Sequence, residues 1–159
     1  MKHHILDQHA VIAWDMDKTL VGGPNSKFFR DYIKAHPEKS HHVVTFRDAE
    51  WAKDIEEELA QEGLPFSCIL AVHSCPELVH DMHMVNIHPF KADVKKDMIE
   101  SRLIDQDQLN DFSYRFLEYK GAQAKAIGAT VLVDDLVDWC IRGCEKNGVV
   151  LLNSLDPIS

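Results

Sequence analysis

One short apolar run and the acidic turn after it constrain this chain most. Ala10 to Trp14 is almost wholly apolar and lacks the alternation of a half-exposed strand, which is typical of a strand buried on both faces of a parallel sheet. It ends abruptly at Asp15-Met16-Asp17. Two carboxylates about 4 Å apart repel by about 4 kcal/mol at an effective dielectric of about 20. The turn is therefore expected to hold a cation or a proton.

Further short apolar runs follow, and helical patterns separate them. The predicted strands after the first cover 43–44, 66–72, 129–135 and 149–152. The predicted helices begin at Ser26, extend over 49–62 with Asp48 as N-cap, and follow Leu136 until Asn147-Gly148. Strands that alternate with helices pair in parallel through right-handed crossovers. The sequence therefore predicts a Rossmann-like three-layer α/β sandwich around a parallel sheet of five strands.

The middle of the chain is harder to interpret. Residues 82–87 are compatible with a strand, 91–103 and 107–118 have helical composition, and 121–127 is predicted to be a short alanine-rich helix. Repeats and low-complexity linkers are absent, so residues 1–159 are predicted to form a single domain. A small cover element within 74–118 is compatible with this assignment.

Composition limits the partners of the chain. Its 26 acidic and 17 basic residues give a net charge of -9, and no basic stripe marks a nucleic-acid or anionic-membrane surface. The N-terminus lacks the apolar stretch of a signal peptide, and no segment approaches the roughly 20 apolar residues of a membrane span. The four cysteines form no CxxC pair. We therefore expect reduced thiols in a cytoplasmic protein.

Polar side chains follow three of the predicted strands. Because the carboxyl ends of parallel strands meet at one edge of a sheet, we expect these side chains to lie close together, at the edge where ligands bind in open α/β sheets. The residues are Asp15, Asp17, Thr45, Asp134 and Asp135.

Four motifs in this order resemble those of the haloacid dehalogenase-like (HAD) phosphohydrolase superfamily. WDMDKTLV resembles the first motif, D-x-D-x-T-[LV], and VVTF resembles the second, an apolar strand that ends in Thr or Ser. Lys120 stands where the lysine of the third motif is expected, and VLVDD resembles the fourth. The first and fourth motifs are fairly specific, and together the four span residues 10 to 135. The resemblance implies a small phosphatase with little or no cap.

The resemblance also implies a mechanism. Asp15 would attack phosphorus and form an aspartyl-phosphate, while Asp17 would protonate the leaving oxygen and then activate water. Mg²⁺ prefers oxygen ligands and commonly takes one or two carboxylates. Its protein ligands would be Asp15, the main-chain carbonyl of Asp17, and Asp134.

The remaining motif positions would hold the phosphate or support the metal. Thr45 and Lys120 would bind phosphoryl oxygens where charge gathers in the transition state. Lys125 lies on the same segment, but Lys120 is favoured because it precedes the predicted short helix and lies nearer the site. Asp135 would support metal-bound water or Lys120. Asp138 either joins Asp135 or is a solvated helix residue.

Two basic residues near the motifs have open roles. Position 18 is Lys where many family members have Gly, and this side chain either contacts substrate or points to water. Arg47 follows Thr45 closely, and its guanidinium suits a second phosphate or a substrate carboxylate. An ion pair between Arg47 and an aspartate is the alternative.

Several functions remain open at this point. A nucleotide or other small phosphate ester is the preferred substrate, and homo-oligomerisation is one way to enclose it. The alternatives are a protein or nucleic-acid phosphate, phosphotransfer to an acceptor other than water, and a non-catalytic binding or scaffold protein. A zinc site at His80, His83 and His88 is disfavoured, because HDMH lacks metalloprotease spacing. A receiver domain is disfavoured because the third predicted strand lacks an aspartate.

Overall fold

The computed structural model describes residues 4–159 and contains one five-stranded sheet in which every pairing is parallel. The spatial order of the strands is β3-β2-β1-β4-β5. Their bounds are Val11–Trp14 (β1), Ser40–Val44 (β2), Ala71–His73 (β3), Val131–Asp134 (β4) and Val150–Asn153 (β5). The sheet that the alternating pattern predicted is thus confirmed, with five strands.

Eight α-helices connect or precede these strands within the described residues. The first four are His4–Asp7 (α1), Ser26–Ala35 (α2), Ala49–Ala52 (α3) and Ile55–Gln61 (α4). The second four are Glu77–Ile87 (α5), Ala92–Glu100 (α6), Gln106–Ala126 (α7) and Val137–Asn147 (α8). Short 3-10 segments occupy 66–68 and 89–91. The predicted cap is present at α3, where Asp48 accepts a hydrogen bond from the Trp51 amide at 2.9 Å.

The side chains of alternate strand residues pack in two separate apolar layers, one on each face of the sheet. Ile12 and Trp14 of β1 pack with α2 and α4 on one face of the sheet. Ala13 of β1 packs with α7 and α8 on the other face, where Ala124 and Cys140 are buried. Both faces of the sheet are therefore covered, as a strand without polar alternation requires. This arrangement is the Rossmann-like three-layer sandwich that the sequence predicted.

Helices α7 and α8 are in contact through two glycines. A Cβ built on Gly121 of α7 would lie 2.0 Å from the carbonyl carbon of Gly143 in α8. A Cβ on Gly143 would lie 2.5 Å from the Glu118 carbonyl oxygen. Neither position has room for a side chain, so the backbones of the two helices meet directly.

Several local predictions are wrong. Residues 82–87 belong to helix α5 and form no strand, and in the segment 66–72 only the last two residues lie in β3. The helices predicted over 107–118 and 121–127 form one continuous helix, α7. Gly121 does not break α7, because its missing side chain is needed for the contact with α8. The helix predicted over 49–62 is interrupted between α3 and α4.

A bilayer-spanning helix, which needs length and an apolar sequence together, does not occur within residues 4–159.

Candidate active site

The site lies at the point in the sheet where the strand order reverses, between the neighbouring strands β1 and β4. The chain proceeds from β1 through β2 to β3 on one side, and β4 and β5 lie on the other side. Crevices at such a switch point bind ligands in open α/β sheets. Asp15 directly follows β1, and Asp134 ends β4. The Asp15 amide donates to the Val133 carbonyl at 2.9 Å, so pairing of β1 with β4 brings the two carboxylates together.

Lys120 lies between these carboxylates in the interior. Its Nζ donates to Asp15 Oδ1 at 2.6 Å and to Asp134 Oδ2 at 2.5 Å. The relative exposure of Lys120 is 0%. Burial alone lowers the pKa of the Lys120 ammonium, but the charges of Asp15 and Asp134 outweigh it and raise that pKa. Lys120 therefore carries its positive charge in the interior, held by two carboxylates.

Asp15 has one oxygen without a protein partner. Asp15 Oδ2 is buried and has no hydrogen-bond partner among residues 4–159. Burial raises the pKa of the Asp15 carboxyl well above its usual range; Lys120 opposes this effect, and the charge of Asp134 adds to it. Lys120 alone therefore does not offset the negative charge gathered here.

The donor set around Asp15 Oδ2 suits a hard divalent cation. Carboxylate oxygens of Asp15, Asp134 and Asp135 lie within 4.8 Å of one another. Burial is the main cause of a raised pKa at Asp135, and the Asp134 charge contributes. Oxygen ligands of this kind are the ones Mg²⁺ prefers, and an unpartnered buried oxygen is a natural ligand position. The residues present therefore fit the metal, with Asp135 close enough to be a direct ligand.

Asp17 is held by Arg47, on the other side of the turn. Arg47 Nε donates to Asp17 Oδ2 at 2.9 Å, and Nη2 donates to Asp17 Oδ1 at 2.6 Å. Arg47 Nη1 donates to Glu58 Oε2 at 2.6 Å. Of the two roles considered for Arg47, the structure contains the ion pair with an aspartate.

Thr45 is placed by continuation of strand pairing beyond β2. Its amide donates to the His73 carbonyl at 3.0 Å, and its Oγ1 accepts a hydrogen bond from the Arg47 amide at 3.1 Å. Thr45 lines the same cavity as Asp15 and Asp17. Three predicted site residues from two strands therefore share one cavity.

The other predicted site residues are more peripheral. Lys18 is exposed, lines the cavity and has a φ of 67° in the left-handed region. Asp138 is exposed on α8 and lies outside the acidic cluster. Lys125 is exposed on α7, whereas Lys120 of the same helix is buried at the site. Lys120 lies within a long helix rather than before a short one, which corrects the reason given for preferring it.

The histidines do not assemble a zinc site. Within residues 4–159, the single group of three or more metal-ligating side chains within reach of one another is Asp15, Asp134 and Asp135. His83 instead stacks on Phe116, with ring centroids 4.0 Å apart, and both of its ring nitrogens are buried with no hydrogen-bond partner in the described part of the chain.

An aromatic wall adjoins the carboxylates, and none of the sequence patterns predicts it. The cavity has a volume of about 450 Å³. The wall is the set of apolar and aromatic side chains that line it: Phe46, Trp51, His80, Met84, Phe116, Leu136 and Trp139. The spacing of His80 and Met84 by one helical turn is the signal that the sequence offered, but 82–87 was interpreted as a strand.

Comparisons of this chain with protein-family models, with curated proteins and with solved structures find no match. The class that the structure defines is thus a Rossmann-like α/β protein with an acidic site at the switch point of its sheet.

Proposed function

We propose that this protein is a HAD-type, magnesium-dependent phosphomonoester hydrolase that acts through an aspartyl-phosphate on Asp15. The observation that carries the proposal is the state of the Asp15 carboxylate. One oxygen binds the buried Lys120 ammonium, and the other is buried with no hydrogen-bond partner among the described residues. The carboxylates of Asp134 and Asp135 lie close to that of Asp15. A carboxylate held in this way at a ligand-binding edge suits covalent catalysis on a phosphate ester.

The first step uses residues from both sides of the cavity. A carboxylate oxygen of Asp15 attacks phosphorus, and the bond between phosphorus and the ester oxygen breaks. Asp17 gives its proton to that leaving oxygen, so the alcohol departs neutral. Thr45 Oγ1 and the Lys120 ammonium hold phosphoryl oxygens as charge gathers on them. The Lys120 ammonium also opposes the rise in the pKa of the Asp15 carboxyl that burial causes.

The second step regenerates the enzyme. Asp17, now a carboxylate, takes a proton from water, and the water oxygen attacks phosphorus. The bond between phosphorus and Asp15 breaks, which releases inorganic phosphate and restores the carboxylate. Arg47 orients the ionised form of Asp17 through the two hydrogen bonds to its carboxylate. Mg²⁺ bound by Asp15, Asp134, Asp135 or the Asp17 carbonyl would neutralise phosphoryl charge and orient the ester.

The test is phosphate release from a panel of nucleotides, sugar phosphates and aryl phosphates, with Mg²⁺ and with a chelator. We expect Mg²⁺-dependent turnover in the wild type and its loss in Asp15→Asn. That variant keeps the shape of the side chain but removes the nucleophile. Asp111→Asn is the matched control, because it removes an exposed carboxylate paired with Arg115 on α7.

The intermediate gives a second, independent measurement. Rapid acid quench during turnover is expected to leave a hydroxylamine-labile phosphate on the peptide that contains Asp15. Undiminished turnover in Asp15→Asn would contradict the assignment of the nucleophile. Binding of Mg²⁺ without release of phosphate from any ester would favour a binding role instead.

A further inference from the structure

We propose that the substrate is a phosphate monoester whose leaving group is an aromatic ring attached directly to the ester oxygen. This inference rests on the proposed function and specifies its substrate class. It comes from the position of the aromatic wall, the chemistry of that wall and the scarcity of polar groups in it.

The wall begins next to the nucleophile. Lys120 Nζ is 2.6 Å from Asp15 Oδ1 and 4.3 Å from the centroid of the Phe46 ring. Phe46 directly follows Thr45, which is the proposed phosphate ligand. A ring joined to the phosphate through one oxygen can therefore reach the wall without a spacer.

The wall is built from rings that support one another. Phe46 stacks on Phe116 with centroids 4.5 Å apart, and Trp139 meets both edge-on, at 5.8 Å and 5.4 Å. His83 stacks on the other side of Phe116 at 4.0 Å. Phe116 is fully buried in this stack and holds its neighbours in place. A bound ring would therefore meet the partly exposed side chains of Phe46, Met84 and Trp139 and gain apolar and aromatic contact with them.

The polar groups of the cavity are concentrated at its phosphate end. Asp15, Asp135 and Thr45 surround the proposed phosphoryl position, and Arg47 is already bonded to Asp17 and Glu58. Beyond them, the polar groups of the wall are the His80 ring nitrogens and the indole N–H groups of Trp51 and Trp139, and the exposed Lys18 also lines the cavity.

This distribution disfavours sugar phosphates. The several hydroxyl groups of a sugar placed against the wall would lose more hydrogen bonds to water than these few groups can replace, at a free-energy cost. A ribose between phosphate and base would put its hydroxyls at this same place. The observations therefore favour an aryl ester over a sugar phosphate or a 5′-nucleotide.

The experiment measures binding of phosphonates, because their affinity does not depend on how well the ester oxygen leaves. Phenylphosphonate, methylphosphonate and the phosphonate analogue of glucose 6-phosphate are titrated calorimetrically into the full chain with Mg²⁺. We expect phenylphosphonate to bind at least about tenfold more tightly than methylphosphonate, because the buried ring gains apolar contact.

Two variants test whether the aromatic wall causes the tighter binding of phenylphosphonate. Trp139→Ala is expected to remove most of the advantage of phenylphosphonate while the affinity for methylphosphonate changes little. Met84→Ala is expected to reduce the advantage in the same direction from the other side of the cavity. Tyr114→Ala is the control, because it removes a half-exposed ring that contacts Arg142 rather than the cavity.

The outcomes separate the two proposals. Equal affinity for phenyl- and methylphosphonate, or tighter binding of the sugar analogue, would overturn the aryl inference and leave the phosphatase proposal standing. Failure of all three to bind, together with no phosphate release from any ester in the panel, would refute both. Loss of the preference in Tyr114→Ala would also count against the wall.

Discussion

Arg47 grips the carboxylate of Asp17 with two parallel hydrogen bonds, from Nε at 2.9 Å and from Nη2 at 2.6 Å. The guanidinium is buried, while the Asp17 side chain is about half exposed. The hydrogen bonds from Arg47 to Asp17 and Glu58 raise the pKa of Arg47 despite its burial, so this cation is permanent. Arg47 therefore acts as an anchor that fixes where the proposed acid points.

We expect Arg47→Lys to lower kcat by about 10- to 100-fold, since a lysine cannot form the fork and hydrogen bonds to charged groups are worth about 1.5–3 kcal/mol. KM for the ester is expected to change little, because Arg47 is bonded to carboxylates. Steady-state kinetics of an aryl ester provide the measurement. Glu58→Gln keeps the Asp17 contact and is expected to have the smaller effect. A large rise in KM with constant kcat would instead assign Arg47 to substrate binding.

Lys120→Met is expected to destabilise the fold by about 3–5 kcal/mol, because it leaves the carboxylates of Asp15 and Asp134 buried without their cation. Urea unfolding at neutral pH measures the change. Lys125→Met, an exposed position on the same helix, is expected to lie within about 0.5 kcal/mol of the wild type. Equal stabilities for the two variants would mean that Lys120 does not offset these charges.

Lys18→Gly is expected to stabilise the protein by about 0.5–1 kcal/mol, because relief of a left-handed backbone exceeds the entropic cost of glycine. Thermal or urea unfolding provides the test. Lys96→Gly within α6 is the control and is expected to cost about 1 kcal/mol. Kinetics of the same Lys18 variant separate the two roles left open for its side chain: a raised KM indicates contact with substrate, and unchanged kinetics indicate solvent.

The stability of the protein is expected to depend on pH through His83. Burial, together with smaller contributions from the neighbouring His80 and His88, lowers the pKa of His83 to about 4. In the unfolded chain the pKa of this histidine is about 6.5, so between about pH 6.5 and pH 4 the unfolded state binds a proton that the folded state does not bind. The contribution of His83 is fully present above the pKa of the unfolded chain and is lost as the pH falls towards 4.

His83→Phe isolates this effect, because it keeps a ring against Phe116 but cannot titrate. Between pH 7 and pH 4.5, the free energy of unfolding of the wild type is expected to fall by about 2–3 kcal/mol more than that of the variant. Urea unfolding across this range gives both curves. Parallel curves would show that His83 is not held neutral by the fold.

The fold was predictable to the extent that its strands are simple apolar runs. Residues 10–14 and 129–135 carry that pattern and contain β1 and β4, the neighbouring strands at the switch point of the sheet. The strand predicted over 82–87 failed because a short apolar stretch is compatible with either a strand or a buried helix face. The division of α7 failed because a glycine inside a helix reads as an interruption unless its packing partner is known.

The site was predictable where chemistry follows a strand directly. Asp15, Thr45 and Asp134 needed only the rule that carboxyl ends converge at the switch point. The aromatic wall was not predicted, because Phe46, Phe116 and Trp139 come from segments far apart in sequence and their spacing carries no shared motif. The ion pair between Arg47 and an aspartate was one of two open alternatives, the other being contact with substrate. The sequence alone does not show whether the partner of a guanidinium is a carboxylate of the same chain or a group on a ligand.

The contact between Gly121 and Gly143 fixes the proposed catalytic groups of the cavity independently of the side chains that would contact the leaving group. Lys120 directly precedes Gly121, so its position is set by the contact between the backbones of the two helices. These main-chain atoms have no alternative rotamers, and the contact leaves no room for a side chain. Met84 and His80, by contrast, reach the cavity from α5 as side chains alone. The ammonium next to the proposed nucleophile is therefore held by the backbone of the fold. The side chains from α5 that line the cavity can instead be substituted one at a time. Selectivity can thus be redesigned from α5 while the reacting groups stay where they are.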